Sequence, residues 1–166
     1  MLKRLTAKTN NQRQRAVVNL KQAQTVGILF LANKQAQLKE VKELVNYLKD
    51  FGIQAKVLGY VSQKDLETWH KTDLVFDYYT QKNCNWYGRP KGTAVEHFIQ
   101  EPFDFLIDLS LRERPALKFV SSMSMAKLKV GVAQLGTADL MIDIGKKGEV
   151  EYFIKELKHY LNLINN

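Results

Sequence analysis

Cysteine is almost missing from this chain: Cys84 is the only one among 166 residues. A lone thiol forms no internal disulfide and no thiolate zinc cage, and it fits a reducing compartment. With only three prolines, long proline-rich linkers are excluded. The longest apolar runs, such as Val26 to Ala32, fall far short of the ~20 residues that span a bilayer. No apolar stretch follows Met1-Leu2-Lys3-Arg4, so no secretory signal is expected. Together these absences point to a cytoplasmic protein. Negative charge is absent from one region in particular. Residues 1–23 hold six of the 25 basic side chains and none of the 17 acidic ones, so the net charge of +8 falls to +2 over residues 24–166.

The six cations are Lys3, Arg4, Lys8, Arg13, Arg15 and Lys21, and they mark residues 1–23 as a basic N-terminal arm or helix. Such an arm can dock on RNA, DNA or an anionic membrane surface, because counterion release favours that contact without sequence specificity. It can equally be a solvated face that keeps the protein soluble. Apolar residues in it are sparse, so the first 20 residues are expected to add little to the core.

Residues 24–166 have the patterning of one α/β domain. Thr25 to Leu31 is a continuous apolar run of strand length, as expected of a strand buried on both faces. Leu38, Val41, Leu44, Val45 and Leu48 then recur at helical spacing, with Gly52 as a stop. Ile53 to Val61 returns to a strand pattern and completes a β-α-β unit, whose strands are expected to be parallel. Leu66 and Trp69 suggest a short helix, and Leu74 to Tyr79 a strand or an aromatic packing element. Residues 82–92 form a loop by their turn chemistry. A helix over Thr93 to Gln100 leads into the apolar strand Phe103 to Ser110. Pro115 opens a helix to Met125, since proline at the first turn loses no hydrogen bond. Leu128 to Ala133 and Leu140 to Ile144 are two more strands, and Glu149 to Leu163 is an amphipathic closing helix. Strands alternating with helices predict a three-layer, Rossmann-like α/β sandwich with a mainly parallel sheet. Strand order cannot be derived from these patterns.

Two places carry functional residue types. Asp104 to Ser110 aligns with Asp139 to Gly145, which sets Asp108 and Asp143 near the C-terminal ends of two parallel strands, the edge where open α/β sheets bind ligands. Carboxylates there can bind Mg²⁺, orient a sugar hydroxyl or act as a general base; they can also end the strand through local hydrogen bonds. Ser110, Arg112 and Arg114 follow directly. The 82–92 loop adds Lys82, Arg89 and Lys91 as donors for phosphate or carboxylate. Asn85, Gly92 and a stacking residue, Trp86 or Tyr87, complete it. The alternative for this loop is a surface turn pinned by a buried tryptophan. It matches neither the phosphate-loop nor the dinucleotide fingerprint. His70, His97 and His159 share no metal-ligand spacing, and no metal site is expected. Cys84 has no histidine at a recognisable interval, and Ser121, Ser122 and Ser124 lie outside any nucleophile elbow. No cofactor or reaction can be named from these residues.

The combination of Asn85-Trp86-Tyr87-Gly88-Arg89-Pro90, Phe103 to Leu109 and Ala126 to Gly131 resembles a bacterial domain-of-unknown-function family of small α/β proteins. That resemblance covers nearly the whole chain and implies a fold but no activity. Asp104 to Ser110 also resembles a strand of two-domain nucleotide-sugar glycosyltransferases, although 166 residues leave no room for their second domain. The leading expectation is a protein that binds or acts on a phosphorylated or other anionic small molecule at the C-terminal sheet edge, through the 82–92 loop, Asp108, Ser110 and Arg112. The alternatives are an RNA- or ribosome-associated module using the basic arm and a protein-interaction scaffold.

Overall fold

A computed structural model describes residues 13–16, 18 and 20–165. Ten regular elements follow in chain order: β1 (Thr25–Leu31), α1 (Gln35–Asp50), β2 (Gln54–Val61), β3 (Phe76–Thr80), α2 (Thr93–Gln100), β4 (Phe105–Asp108), α3 (Pro115–Met123), β5 (Leu128–Val132), β6 (Leu140–Ile142) and α4 (Val150–Asn165). The strands form one sheet in the order β3-β2-β1-β4-β5-β6, and all five pairings are parallel. This is the doubly wound order expected of a Rossmann-like domain.

The central strands are apolar on both faces because both faces are covered. Val26, Ile28 and Phe30 of β1 pack on one side with Leu38, Val41 and Leu44 of α1 and Phe153 of α4. Leu29 faces the other side, with Leu106 of β4, Phe98 of α2 and Leu117 and Val120 of α3. Gly27 is needed on that second side, since a Cβ there would come 2.7 Å from the ring of Phe103. The missing side chain lets an aromatic ring lie directly on the central strand.

The helix anticipated around Leu66 and Trp69 is absent. Residues 62–75 cross from β2 to β3 without regular structure, and Leu66 is exposed. Their amphipathic spacing serves a buried histidine instead. His70 accepts a hydrogen bond from Glu67 N at Nδ1 (2.8 Å) and donates from Nε2 to Ala32 O (2.7 Å), with Trp69 stacked on its ring.

The arm also departs from expectation. Lys3, Arg4 and Lys8 lie outside the described residues, but Arg13 is not a free surface cation. Its side chain is 2% exposed and ion-paired with Asp139, and it also donates to Lys127 O. Asp139 accepts in addition from Lys129 N (2.8 Å), so the arginine ties the chain start to β5. Val18 packs against the core as well. A count of apolar positions is blind to an anchor made by charge.

Lys129 itself points between β5 and α3, is 3% exposed and donates its ammonium to Ser122 O (3.1 Å). Burial lowers its pKa to about 8, with the charge of Arg13 acting in the same direction and that of Asp139 opposing it.

Two outcomes follow for stability. Arg13→Ala should lower unfolding free energy by roughly 2–3 kcal/mol, the scale of a lost charged hydrogen bond to a partner left behind. Arg15→Ala, with a side chain 64% exposed, should change it by less than about 0.5 kcal/mol. Equal urea midpoints for the two variants would contradict the anchor. For Lys129, the folded state sheds its proton near pH 8 and the unfolded chain near 10.5, so stability should rise with pH across that window. Lys129→Met removes the titration. The stability advantage of the variant over wild type should therefore shrink by roughly 2–3 kcal/mol between pH 7 and pH 10, and a pH-independent difference would contradict it.

Candidate functional site

In the strand order, direction of winding reverses between β1 and β4, and open α/β sheets bind ligands at the C-terminal ends of the strands on either side of such a switch. Leu31 ends β1 there and Asp108 ends β4. The chain then runs outward on both sides, through Asn33 and Lys34 into α1 and through Ser110 to Arg114 into α3. Between the two lies a cleft of about 380 Å³ lined by Asn33, Lys34, Gln37, Ser110, Arg112 and Arg114, with apolar walls that include Leu31, Leu111 and Leu117. Ligand-sized clefts begin at roughly 300 Å³.

The lining holds three cations and no carboxylate. α1 enters it without a side-chain N-cap and without an acidic residue in its first turn, and so does α3. Both helix starts therefore present partial positive charge to the same space. The side-chain amide of Asn33 is already engaged: it donates to Ser62 Oγ (2.6 Å) and accepts from Ser62 N (2.9 Å), joining the ends of β1 and β2. Arg112 is exposed, with no hydrogen bond or ion pair among the described residues.

Among the described residues, the buried side-chain polar atoms without a hydrogen-bond partner are Arg13 Nε, Gln37 Oε1, Glu40 Oε2 and Ser110 Oγ. Two of them, Gln37 Oε1 and Ser110 Oγ, belong to residues that line this one cleft. Buried polar atoms are nearly always satisfied by protein or water, so each exception asks for a reason.

Behind Ser110 lies a second, much smaller space of about 20 Å³. Asp108, Ser121, Ser122 and Thr137 surround it, and it shares Ser110, Arg112, Arg114 and Leu117 with the cleft. Burial raises the pKa of the Asp108 carboxyl, opposed by Ser110, Ser121 and the charge of Lys129. Its Oδ1 accepts from Ser110 N at 3.0 Å. The Ser110 hydroxyl stands close enough to act on the carboxyl, but it makes no hydrogen bond of normal geometry. Asp143, the other strand-end aspartate, is elsewhere. It follows β6, two strands from β4, and its side chain accepts from Gly145 N (2.8 Å) in a local turn. The two carboxylates do not share a site, and no group of three or more His, Cys, Asp or Glu among the described residues is arranged to hold a metal ion.

The 82–92 loop does not join the cleft. It is a tight turn closed by the Cys84–Pro90 bridge, with Asn85 accepting from Arg89 N (2.9 Å), and Gly88 set against Pro115 at the start of α3. Arg89 stacks on Phe119, its guanidinium carbon 5.0 Å from the ring centre. Phe119 borders neither space, whereas Leu117, Lys118, Ser121 and Ser122 of the same helix border the inner pocket. The turn is not pinned by a buried tryptophan, because Trp86 is 93% exposed. Lys82 is ion-paired with Asp65, Lys91 is exposed, and Gly92 precedes α2 with φ 120°. Of the anticipated ligand-binding residues, the structure thus brings together Asp108, Ser110 and Arg112. It leaves Lys82, Asn85, Trp86, Arg89, Lys91 and Gly92 out of both spaces. Lys34 and Gln37 escaped the residue-level reading. Their signal was positional, since they follow the first strand of a β-α-β unit, but only the strand order shows that this strand borders the switch.

No curated protein and no solved structure matches the chain. The sequence pattern of one family matches residues 1–164. The chain belongs to that family, DUF6913, a family of unknown function.

Proposed function

We propose that this protein binds a phosphorylated or carboxylated small molecule in the cleft between the ends of β1 and β4. The observation that carries this reading is a cleft whose charged side chains are all cationic, lined by two residues, Gln37 and Ser110, that each hold a buried polar atom without a hydrogen-bond partner. A polar ligand satisfies the two orphaned atoms. An anionic one also meets Lys34, Arg112, Arg114 and two uncapped helix starts. Arg112 offers a planar fork to two oxygens of one anion, while Lys34 offers a point charge.

Orthophosphate, nucleotides and sugar phosphates can be screened by thermal shift and titration calorimetry. At least one should raise the unfolding midpoint, by an amount that grows with the logarithm of its concentration above Kd. Arg112→Ala should weaken that ligand about ten- to a hundredfold, the cost of one charged hydrogen bond. Arg89→Ala should leave binding unchanged. Equal binding by wild type and Arg112→Ala, or no stabilisation by any anion at millimolar concentration, would overturn the reading.

A further inference from the structure

We infer that the ligand of this cleft carries a hydroxyl group close to its anionic group, and that this hydroxyl enters the inner pocket between β4 and α3. The inference rests on the cleft reading above and adds the chemical class of the ligand. The cleft and the inner pocket share four bordering residues, Ser110, Arg112, Arg114 and Leu117, so the two spaces lie side by side, within the span of one small molecule.

Size and charge restrict what the inner pocket takes. At about 20 Å³ it has room for one water-sized group, against roughly 10–15 Å³ as the minimum for a water. A phosphate is too large for it, and the Asp108 carboxylate would repel any anion placed beside it. An ammonium meets the opposite difficulty, because three of the five charged side chains that border the space, Asp108, Arg112, Glu113, Arg114 and Lys118, are cationic. A neutral hydroxyl fits on both counts. It can donate one hydrogen bond and accept others, which suits a carboxyl that accepts and serine hydroxyls that do either. Ser110, which borders both spaces, is 6% exposed, and its Oγ makes no hydrogen bond of normal geometry. A hydroxyl passing from cleft to pocket would supply one. Anion outside and hydroxyl inside describes a phosphorylated or carboxylated polyol, sugar or hydroxy acid.

The test uses orthophosphate alone and two matched kinds of organic phosphate, glycerol 2- and 3-phosphate with hydroxyls and n-propyl phosphate without. Each is titrated calorimetrically into wild type, Ser110→Ala, Asp108→Asn and Arg112→Ala. Wild type should bind a glycerol phosphate roughly ten- to a hundredfold more tightly than propyl phosphate. Ser110→Ala removes a hydroxyl that makes no hydrogen bond of normal geometry, so it should fold normally while losing most of that preference. Asp108→Asn should lose it as well. Equal affinities for the two kinds of organic phosphate in wild type, or a preference that survives in both variants, would overturn the inference and leave water as the pocket's only occupant. The cleft reading would still stand in that case, provided orthophosphate binds and Arg112→Ala weakens it. If neither orthophosphate nor any organic phosphate or carboxylate binds wild type, both readings fall.

Discussion

Val26 to Leu29 of β1 pair in parallel with Phe105 to Asp108 of β4, and this ladder is the only one joining the two halves of the sheet. On one side lie β2 and β3, on the other β5 and β6. The chain leaves β1 toward one half and β4 toward the other, so its outgoing segments diverge and a cleft opens between them. Two-sided burial makes the ladder possible. Its residues are almost wholly apolar, with α1 and α4 over one face and α2 and α3 over the other. The exception is Asp108, the last residue of the shorter strand, where the apolar register gives way to the polar pocket.

Charge is distributed around this frame in two different ways. At the N-terminal edge of the sheet, cations are matched: Arg13 meets Asp139, and Lys127 meets Asp104 (2.7 Å). Asp104 also accepts from Gln24 N and Thr25 N, which ties the start of β1 to the start of β4. In the cleft at the opposite edge, Lys34, Arg112 and Arg114 have no carboxylate beside them in the lining. Paired charges hold the structure at one end, while unmatched charges face open space at the other. Carboxylates are plentiful in the chain, so the asymmetry reflects placement and not composition.

Much of the fold was legible in the residues, and the reason is periodicity. Continuous apolar runs such as Val26 to Leu31 and helical spacing such as Leu38 to Leu48 are local signals, and both elements form where those signals lie. Strand order is not local, because it depends on which apolar faces find each other across the chain, and the site depends on strand order. This is why Asp108, Ser110 and Arg112 were visible, lying directly after a strong strand, while Lys34 and Gln37 were not. The 82–92 loop misled for a related reason. Its glycines and cations have the composition of a ligand loop, but Gly88 serves a close approach to Pro115, and Arg89 spends its guanidinium on Phe119. Composition cannot separate a donor aimed at a ligand from one stacked on a neighbouring ring. Arg13 escaped in the same way, since its partner Asp139 is 126 residues distant.

That last separation has a consequence for the order of events during synthesis. Strands β1, β2 and β3 can assemble once Thr80 has emerged, because each contact among them is made with the segment already present. The inner edge of β1 then stays open, with its backbone groups unpaired, until β4 arrives. Arg13 must wait longer still, as its carboxylate partner follows β5. A chain that grows from its N-terminus thus anchors Arg13 nearly last. Until β4 arrives it carries an uncovered central strand edge, the kind of surface that pairs with other chains when folding stalls.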